Sequence, residues 1–93
     1  MTTFDVLVSE TAVKQLSRLD DKTQVRMKQR LLALKENPFT PRPGADIKKL
    51  KGFENPALYR LRVGEFRVIY AIQGRQIKVT EVMRRGKGYA WLD

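Results

Sequence analysis

The sequence contains no cysteine and no histidine. The missing cysteines exclude disulfides, thiolate zinc sites and cysteine nucleophiles, and they are typical of a protein of the reducing cytosol. The missing histidines remove the side chain that usually acts as general base near neutral pH. Any catalysis must therefore use lysine, arginine, tyrosine or carboxylate side chains, and a zinc site would need carboxylates alone. We expect neither a metal nor another cofactor.

Long apolar segments are also lacking. No run approaches the ~20 residues that span a bilayer. The N-terminus does not show the basic segment followed by a long apolar one that marks a secretory signal. The 93 residues contain no linker, repeat or low-complexity tract, so the chain predicts one domain over residues 1–93. We expect this domain to be cytoplasmic and to bind no membrane.

Acidic residues are few, and the formal net charge is +9. The imbalance is concentrated in the second half: residues 1–46 carry a net charge of +2, and residues 47–93 carry +7. An excess of this size predicts a polyanionic partner, with nucleic acid first and an acidic protein second. A surface charged only for solubility would mix both signs. We therefore expect the second half to bind an anion.

Hydrophobic periodicity and turn residues predict an α+β domain. Ser9 is a candidate N-cap, residues 37–44 hold three prolines and a glycine and predict a loop, and residues 46–56 predict a basic, irregular connection. The predicted elements are a strand at 4–8, helices at 9–19 and 21–36, and strands at 57–63, 66–72 and 76–83. This β-α-α-β-β-β order predicts an antiparallel meander with a helical hairpin packed on one face.

Alternation along the predicted strands separates an apolar face from a basic one. Glycine-first turns at 64–65 and 74–75 favour type II′ hairpins, which would place three apolar pairs on the face under the helices: Val63 with Phe66, Leu61 with Val68, and Tyr59 with Tyr70. The opposite face would receive Arg60, Arg62 and Arg67, with Arg62 directly across from Arg67. The last strand would add Lys78, Thr80, Val82 and Arg84 to that face.

The arginine-rich face has two interpretations. Exposed arginine is common in sheets, so an ordinary solvated surface is possible. Like charges directly opposite one another destabilise a sheet, however, and no acid is expected between these arginines. Guanidinium groups bind phosphate oxygens bidentately and stack on bases, which favours an anion site. The loop with Lys48, Lys49 and Lys51 is expected to border this face, as are the residues that follow the last strand: Arg84, Arg85, Lys87 and Tyr89. Tyr89 and Trp91 could stack on bases or pack with the tail onto the core.

The sequence resembles the RelE-type toxins of the RelE/ParE superfamily. The resemblance rests on Leu50-Lys51-Gly52 and on residues 59–70, which read Tyr-Arg-Leu-Arg-Val-Gly-Glu-Phe-Arg-Val-Ile-Tyr. Ser9, Glu10, Ala12 and Leu16, and the Asn37-Pro38 end of the second helix, fit the same family. The resemblance covers nearly the whole chain. It implies a RelE-like, microbial-RNase-like fold and metal-independent cleavage of mRNA in the ribosomal A site, in which a 2′-hydroxyl attacks the adjacent phosphate.

The resemblance also implies roles for individual residues. It assigns the catalytic set to Arg60, Arg62, Arg67, Arg85 and Tyr89. It assigns RNA binding to Lys51, and the bordering residues Lys48, Lys49, Arg84 and Lys87 are expected to take part. Arg60 and Arg62 stand where relatives often have lysine, and Arg84 stands where many have histidine. Because a guanidinium cannot act as a general base, Tyr89 is the first candidate for that role, followed by Asp46, Glu65 and Lys51.

Two other functions remain open. A ParE-like protein on the same fold poisons DNA gyrase without nuclease activity, and a catalytically impaired homologue would only bind RNA. The full basic set favours the nuclease. The expected partners are the ribosome, mRNA and a cognate antitoxin. The antitoxin would be an acidic protein that wraps around the toxin and folds on binding, and the complex could be a toxin–antitoxin heterotetramer.

Overall fold

Two helices and a five-stranded sheet form the described part of the chain, residues 3–84 of a computed structural model. Ala12, Met27, Leu31 and Leu34 of the helices pack on one face of the sheet, so the predicted α+β class and helical hairpin are confirmed. In chain order the elements are β1 (Asp5–Val8), α1 (Glu10–Ser17), α2 (Asp21–Leu34), β2 (Asp46–Glu54), β3 (Ala57–Val63), β4 (Phe66–Gln73) and β5 (Gln76–Arg84).

The sheet differs from the predicted meander because β1 joins it in parallel. The strand order is β1-β5-β4-β3-β2, and β1 runs parallel to β5 with Val6 opposite Ile77 and Val8 opposite Val79. The other pairings are antiparallel. The helical hairpin connects β1 at one edge of the sheet to β2 at the opposite edge. The sheet is therefore mixed at the β1 edge.

The segment predicted as an irregular connection is strand β2, so the element order is β-α-α-β-β-β-β. It pairs with β3, with Ile47 opposite Leu61. The sequence does not show the alternation typical of a strand, because β2 buries one apolar residue on each face. Ile47 joins the main core, and Leu50 packs on the other face. Lysines are common on edge strands, where they discourage pairing with other chains. A one-sided apolar alternation is therefore absent from the sequence.

The β3–β4 hairpin follows the predicted register. Val63 lies opposite Phe66, Leu61 opposite Val68, and Tyr59 opposite Tyr70. Gly64 has a φ of 59°, and within residues 3–84 no residue other than glycine has a positive φ. That combination fits a type II′ turn, in which only the first central residue needs a positive φ. The turn thus fixes which side chains of β3 and β4 share a face.

A β-bulge in β5 changes the alternation that the sequence predicted. Tyr70 pairs with Val79, whereas Ile69 pairs with Glu81, which leaves Thr80 as the extra residue. Residues after Thr80 therefore point to the opposite side from the one predicted. Val82 lies in the main core and not on the arginine face. An inserted residue has this effect because side chains alternate with a period of two.

Helix α1 holds the bulge in place through two side chains. The Ser9 hydroxyl accepts a hydrogen bond from the Ala12 N–H at 3.0 Å, as the predicted N-cap, and donates to the Thr80 carbonyl at 2.8 Å. The Gln15 side-chain oxygen accepts from the Val82 N–H at 2.5 Å. Strand β1 ends at Val8 opposite Val79, so these side chains satisfy backbone groups of β5 that β1 does not reach.

Tyr70 ties the centre of the sheet to the segment after α2. Its side chain is fully buried, and its hydroxyl donates to the Pro38 carbonyl at 2.8 Å. The ring stacks on Tyr59, with the ring centroids 5.6 Å apart, and Tyr59 in turn contacts the edge of Phe39. Burial raises the pKa of Tyr70 well above that of a free tyrosine.

We predict that Tyr70→Phe lowers the free energy of unfolding by about 1–3 kcal/mol, because it leaves the buried Pro38 carbonyl without its donor. Urea unfolding at neutral pH measures this loss. Tyr59→Phe is the control at the neighbouring ring and should cost less. If Tyr70→Phe is as stable as the parent, the Pro38 hydrogen bond does not contribute to stability.

The pH dependence of the same variant gives a second readout. Because burial raises the pKa of Tyr70, the unfolded chain releases this proton at lower pH than the folded chain. The stabilisation is complete below the pKa of an unfolded tyrosine, about 10, and is lost as the pH rises above it. Tyr70→Phe should therefore lose less stability than the parent between pH ~9 and ~11.

Candidate nucleic-acid interface

Three arginines of the β3–β4 hairpin lie on the sheet face that points away from the helices, called the outer face below. Arg62 and Arg67 are direct cross-strand partners, as the sequence predicted, and Arg60 lies two residues before Arg62 opposite Ile69. The type II′ turn and the two-residue alternation bring these side chains together. Their catalytic roles remain predictions.

Two of these arginines are withdrawn from water without full hydrogen bonding. Arg67 is only 5% exposed, and the Arg60 side chain is 16% exposed. Within residues 3–84, the Nε atoms of both are buried and have no hydrogen-bond partner. Nη1 of Arg67 makes only a long contact of 3.4 Å with the Phe66 carbonyl. Buried charged groups normally have partners, so this arrangement is suited to an anion that supplies the missing acceptors.

An apolar cluster, which the sequence reading missed, shares the outer face with these guanidinium groups. Leu50 and Ile69 are buried on the outer face, and Phe53, Leu58 and Met83 pack against them. The predicted outer face was crowded with basic side chains, and it did not include this buried apolar cluster. Apolar neighbours exclude water and lower the local dielectric, which strengthens the attraction between a guanidinium group and a bound anion.

Acidic residues also reach the outer face, contrary to the expectation that none would. Asp46 is the cross-strand partner of Arg62, and its Oδ1 lies 3.7 Å from Nη2 of Arg60. The bulge brings Glu81 opposite Ile69. Among the candidate general bases, Asp46 therefore lies beside the arginines. Glu65, in contrast, is highly exposed and pairs with Arg84 at 3.8 Å.

The three predicted RNA-binding lysines belong to edge strand β2 and not to a loop. Lys48 is the cross-strand partner of Arg60 and so belongs to the outer face. Lys49 pairs with Tyr59, which places it on the helix side of the sheet, and its Nζ lies 3.7 Å from Glu54. Lys51 is exposed near the end of the strand. By register, only Lys48 lies directly beside the arginines.

The prediction that Arg84 lies on the outer face was wrong, because the sequence did not reveal the bulge at Thr80. Arg84 pairs with Phe66 on the helix side of the sheet, and its guanidinium carbon lies 5.3 Å from the centre of that ring. Lys78, which precedes the bulge, pairs with Ala71 on the outer face as predicted. Three further predicted site residues, Arg85, Lys87 and Tyr89, lie outside the described residues, as does Trp91.

The sequence reading also missed a second group of arginines at the edge of the sheet near the β3–β4 turn. Arg26 and Arg30 of α2 line a cleft there together with Arg42 and Arg62. A signal was present, since two arginines four residues apart share one face of a helix.

The outer face has the chemistry of a phosphodiester site. Guanidinium groups can bind phosphate oxygens and stabilise the extra negative charge of a pentacoordinate phosphorus transition state, but they cannot accept a proton. Between residues 3 and 84, no three aspartate or glutamate side chains gather as metal ligands. In the same part of the chain, the helices are too short or too polar to cross a membrane.

Known proteins with similar sequences point to one family. Residues 6–89 match the model of a family described as the ParE toxin of the type II toxin–antitoxin system parDE. The curated protein "Putative toxin RelE1" of Methanocaldococcus jannaschii is 34% identical over 88 residues, which cover 92% of this chain and 94% of that protein.

Solved structures agree in fold. The RelE chain in the crystal structure of the archaeal RelE–RelB complex from Pyrococcus horikoshii superposes with a TM-score of 0.80 at 31% identity, covering 94% of this chain and all of that chain. The isolated RelE toxin of E. coli gives a TM-score of 0.73 at 17% identity over 95% of this chain and 90% of its own, which is a likeness of fold. The chain belongs to the RelE/ParE superfamily of toxins from type II toxin–antitoxin systems.

Proposed function

We propose that this toxin is a ribosome-dependent endoribonuclease that cleaves mRNA in the A site and so stops translation. The observation that carries the proposal is that the Nε atoms of Arg67, which is buried, and of Arg60, which is partly buried, have no hydrogen-bond partner within residues 3–84. A passive surface gains nothing from such an arrangement, whereas a bound phosphodiester would complete it. Ribosome dependence follows the family resemblance, and it would place the action of the toxin in the cytoplasm.

In the proposed reaction, the 2′-hydroxyl of one nucleotide attacks the adjacent phosphorus. The P–O bond to the 5′-oxygen breaks and that oxygen takes up a proton from a general acid or water, which leaves a cyclic 2′,3′-phosphate on one fragment and a 5′-hydroxyl on the other. Arg60, Arg62 and Arg67 bind the phosphate oxygens and stabilise the charge that grows on them. No metal is assigned a role.

The attacking hydroxyl has to lose a proton, and a guanidinium group cannot accept it. Tyr89 remains the first candidate for this role, and Arg85 is proposed to assist at the phosphate. Asp46 becomes the second candidate because its carboxylate lies beside Arg60. Glu65 is less suitable since it pairs with Arg84 on the other side of the sheet.

A ParE-like gyrase poison is the second candidate function. The matched family is described by the name ParE, so the family match alone does not separate the two activities. The buried, incompletely hydrogen-bonded arginines favour the nuclease, because binding to a protein surface does not require such a site. A toxin that only binds RNA would keep these arginines and lack a working proton acceptor.

We also propose a cognate antitoxin as the physiological partner, since the similar Pyrococcus horikoshii chain was crystallised as a RelE–RelB complex. The net charge of +9 favours an acidic antitoxin. A heterotetramer of two toxins and two antitoxins is the proposed assembly.

Primer extension on a reporter mRNA in a translating extract tests the nuclease. We expect cuts within codons that disappear when initiation is blocked. Arg67→Met should abolish them because it removes the buried guanidinium group, whereas Arg75→Met, the same change in the exposed β4–β5 turn, should preserve them. Continued protein synthesis without cuts, together with cleaved DNA in a gyrase assay, would identify the ParE-like activity instead.

Arg67→Met should at the same time stabilise the fold. Replacing buried charges with well-packed apolar side chains often raises stability by about 1–4 kcal/mol, and Arg67 lies beside the apolar cluster around Ile69. Thermal unfolding measures the gain. Arg62→Met, at an exposed position of the same hairpin, should change stability by about 0.5 kcal/mol or less. A destabilised Arg67→Met would mean that the guanidinium group is a structural element.

Affinity purification from the native host tests the antitoxin. We expect a small acidic protein to co-purify and to be released at high salt, since exposed charges are screened there. Size-exclusion chromatography with light scattering then gives the stoichiometry. Recovery of no acidic protein would count against this partner and leave the nuclease proposal to its own test.

A further inference from the structure

A cleft beside the outer face contains two arginine side chains of α2, Arg26 and Arg30, that the proposed reaction does not use. It has a volume of about 420 Å³ and is formed by the start of β2, the end of β3 with its turn, and one side of α2. Arg26, Arg30, Arg42 and Arg62 line it, with Asp46 as the acidic lining residue. Arg62 and Asp46 belong to both the cleft and the outer face, so the two sites are continuous.

Arg42 is held by the fold and shapes the wall of the cleft. Its guanidinium group donates to the carbonyls of Asn37, Thr40 and Ala33 at 2.7–2.9 Å. Its backbone exchanges two hydrogen bonds with Ala45 at 3.0 and 2.8 Å. These contacts fix the segment between α2 and β2, and they leave the other three arginines to face a ligand.

The α2 arginines lie against two glycines. A Cβ atom at Gly44 would lie 3.5 Å from Nη1 of Arg30, and one at Gly64 would lie 3.5 Å from Nη1 of Arg26. Both glycines have a positive φ, at 85° and 59°. The two guanidinium groups therefore lie close to the backbone of the segment before β2 and of the β3–β4 turn.

These positive charges are not neutralised within the described part of the chain. There, no carboxylate lies within 4.0 Å of a guanidinium nitrogen of Arg26, Arg30 or Arg62; the carboxylates of Asp46 and Glu65 pair with Arg60 and Arg84. Like charges four residues apart on a helix destabilise it. The arrangement is therefore least favourable when the cleft is empty of anions.

We propose that this cleft is a second RNA-binding site, which holds backbone phosphates of RNA outside the scissile position through Arg26 and Arg30, beside the phosphate that Arg62 is proposed to bind. The inference rests on the proposed function, since it extends the same RNA-binding surface around the edge of the sheet. RNA is favoured over an acidic protein because the lining is charged and contains few apolar side chains, whereas the centre of a protein interface buries apolar and aromatic groups. The phosphates come either from the cleaved mRNA or from ribosomal RNA.

The test compares the full-length protein with Arg26→Gln/Arg30→Gln. The control, Arg18→Gln/Lys22→Gln, removes the same charge at exposed positions that do not line the cleft. One arm measures binding to a short single-stranded RNA with 2′-O-methyl groups, which blocks cleavage. The other arm measures binding to ribosomes programmed with mRNA. Both arms are run over a series of salt concentrations, and thermal unfolding verifies that each variant is folded.

We expect the cleft variant to bind roughly tenfold more weakly at low salt, and the slope of log affinity against log salt to fall by about 1.4 for two lost contacts with a single strand. A loss in both arms identifies mRNA as the ligand, and a loss with ribosomes alone identifies ribosomal RNA. Arg26→Lys/Arg30→Lys should retain most of the salt dependence because the charges remain.

Two results would overturn the inference while leaving the nuclease intact. One is that the cleft variant binds RNA and ribosomes as tightly as the parent protein. If that variant binds only the antitoxin more weakly, the cleft is a site for an acidic protein. The other is an equal loss in the control variant, which would mean that overall charge is responsible. Failure of the parent protein itself to bind RNA or ribosomes would instead overturn the proposed function, and the cleft inference with it.

Discussion

Strand β4 is buried on both of its faces, and this constraint determines where the rest of the molecule can place charge. Val68 and Tyr70 face the helices, whereas Ile69 and Ala71 face the outer cluster. Arg67 is the single charged residue of this strand and shares its burial. The guanidinium group is thus fixed in an apolar environment by the packing of its neighbours, and the carboxylate of Asp46 on β2 pairs with Arg60 on β3 and not with Arg67.

The sequence predicted those features that depend only on neighbouring residues, such as a turn, a strand alternation or a helix cap. The glycine-first turn and the alternation of residues 57–72 were sufficient for the exact pairing of Arg62 with Arg67. The serine before α1 was sufficient for its N-cap. Strand β2 could not be predicted because it buries Ile47 on one face and Leu50 on the other, which removes the one-sided pattern by which a strand is recognised.

The errors in the site had tertiary causes. The bulge at Thr80 is stabilised by Ser9 and Gln15, which are distant in sequence. The residues next to Thr80 therefore do not indicate it. Because the bulge shifts the alternation by one residue, Arg84 lies on the helix side of the sheet and not on the predicted outer face. The ion pair of Asp46 with Arg60 depended on β2 being a strand. The family resemblance placed the chain correctly among RelE/ParE toxins, but it contained no information about these two local features.

The incomplete hydrogen bonding of the buried arginines has a consequence for the lifetime of the free protein. A ligand that binds only the folded state raises its stability in proportion to the logarithm of its concentration over its dissociation constant. A toxin released from its partners would lose that contribution and populate unfolded, protease-sensitive forms more often. If these groups bind the proposed polyanion, the lifetime of the protein against proteolysis would therefore rise with the fraction of it that is bound.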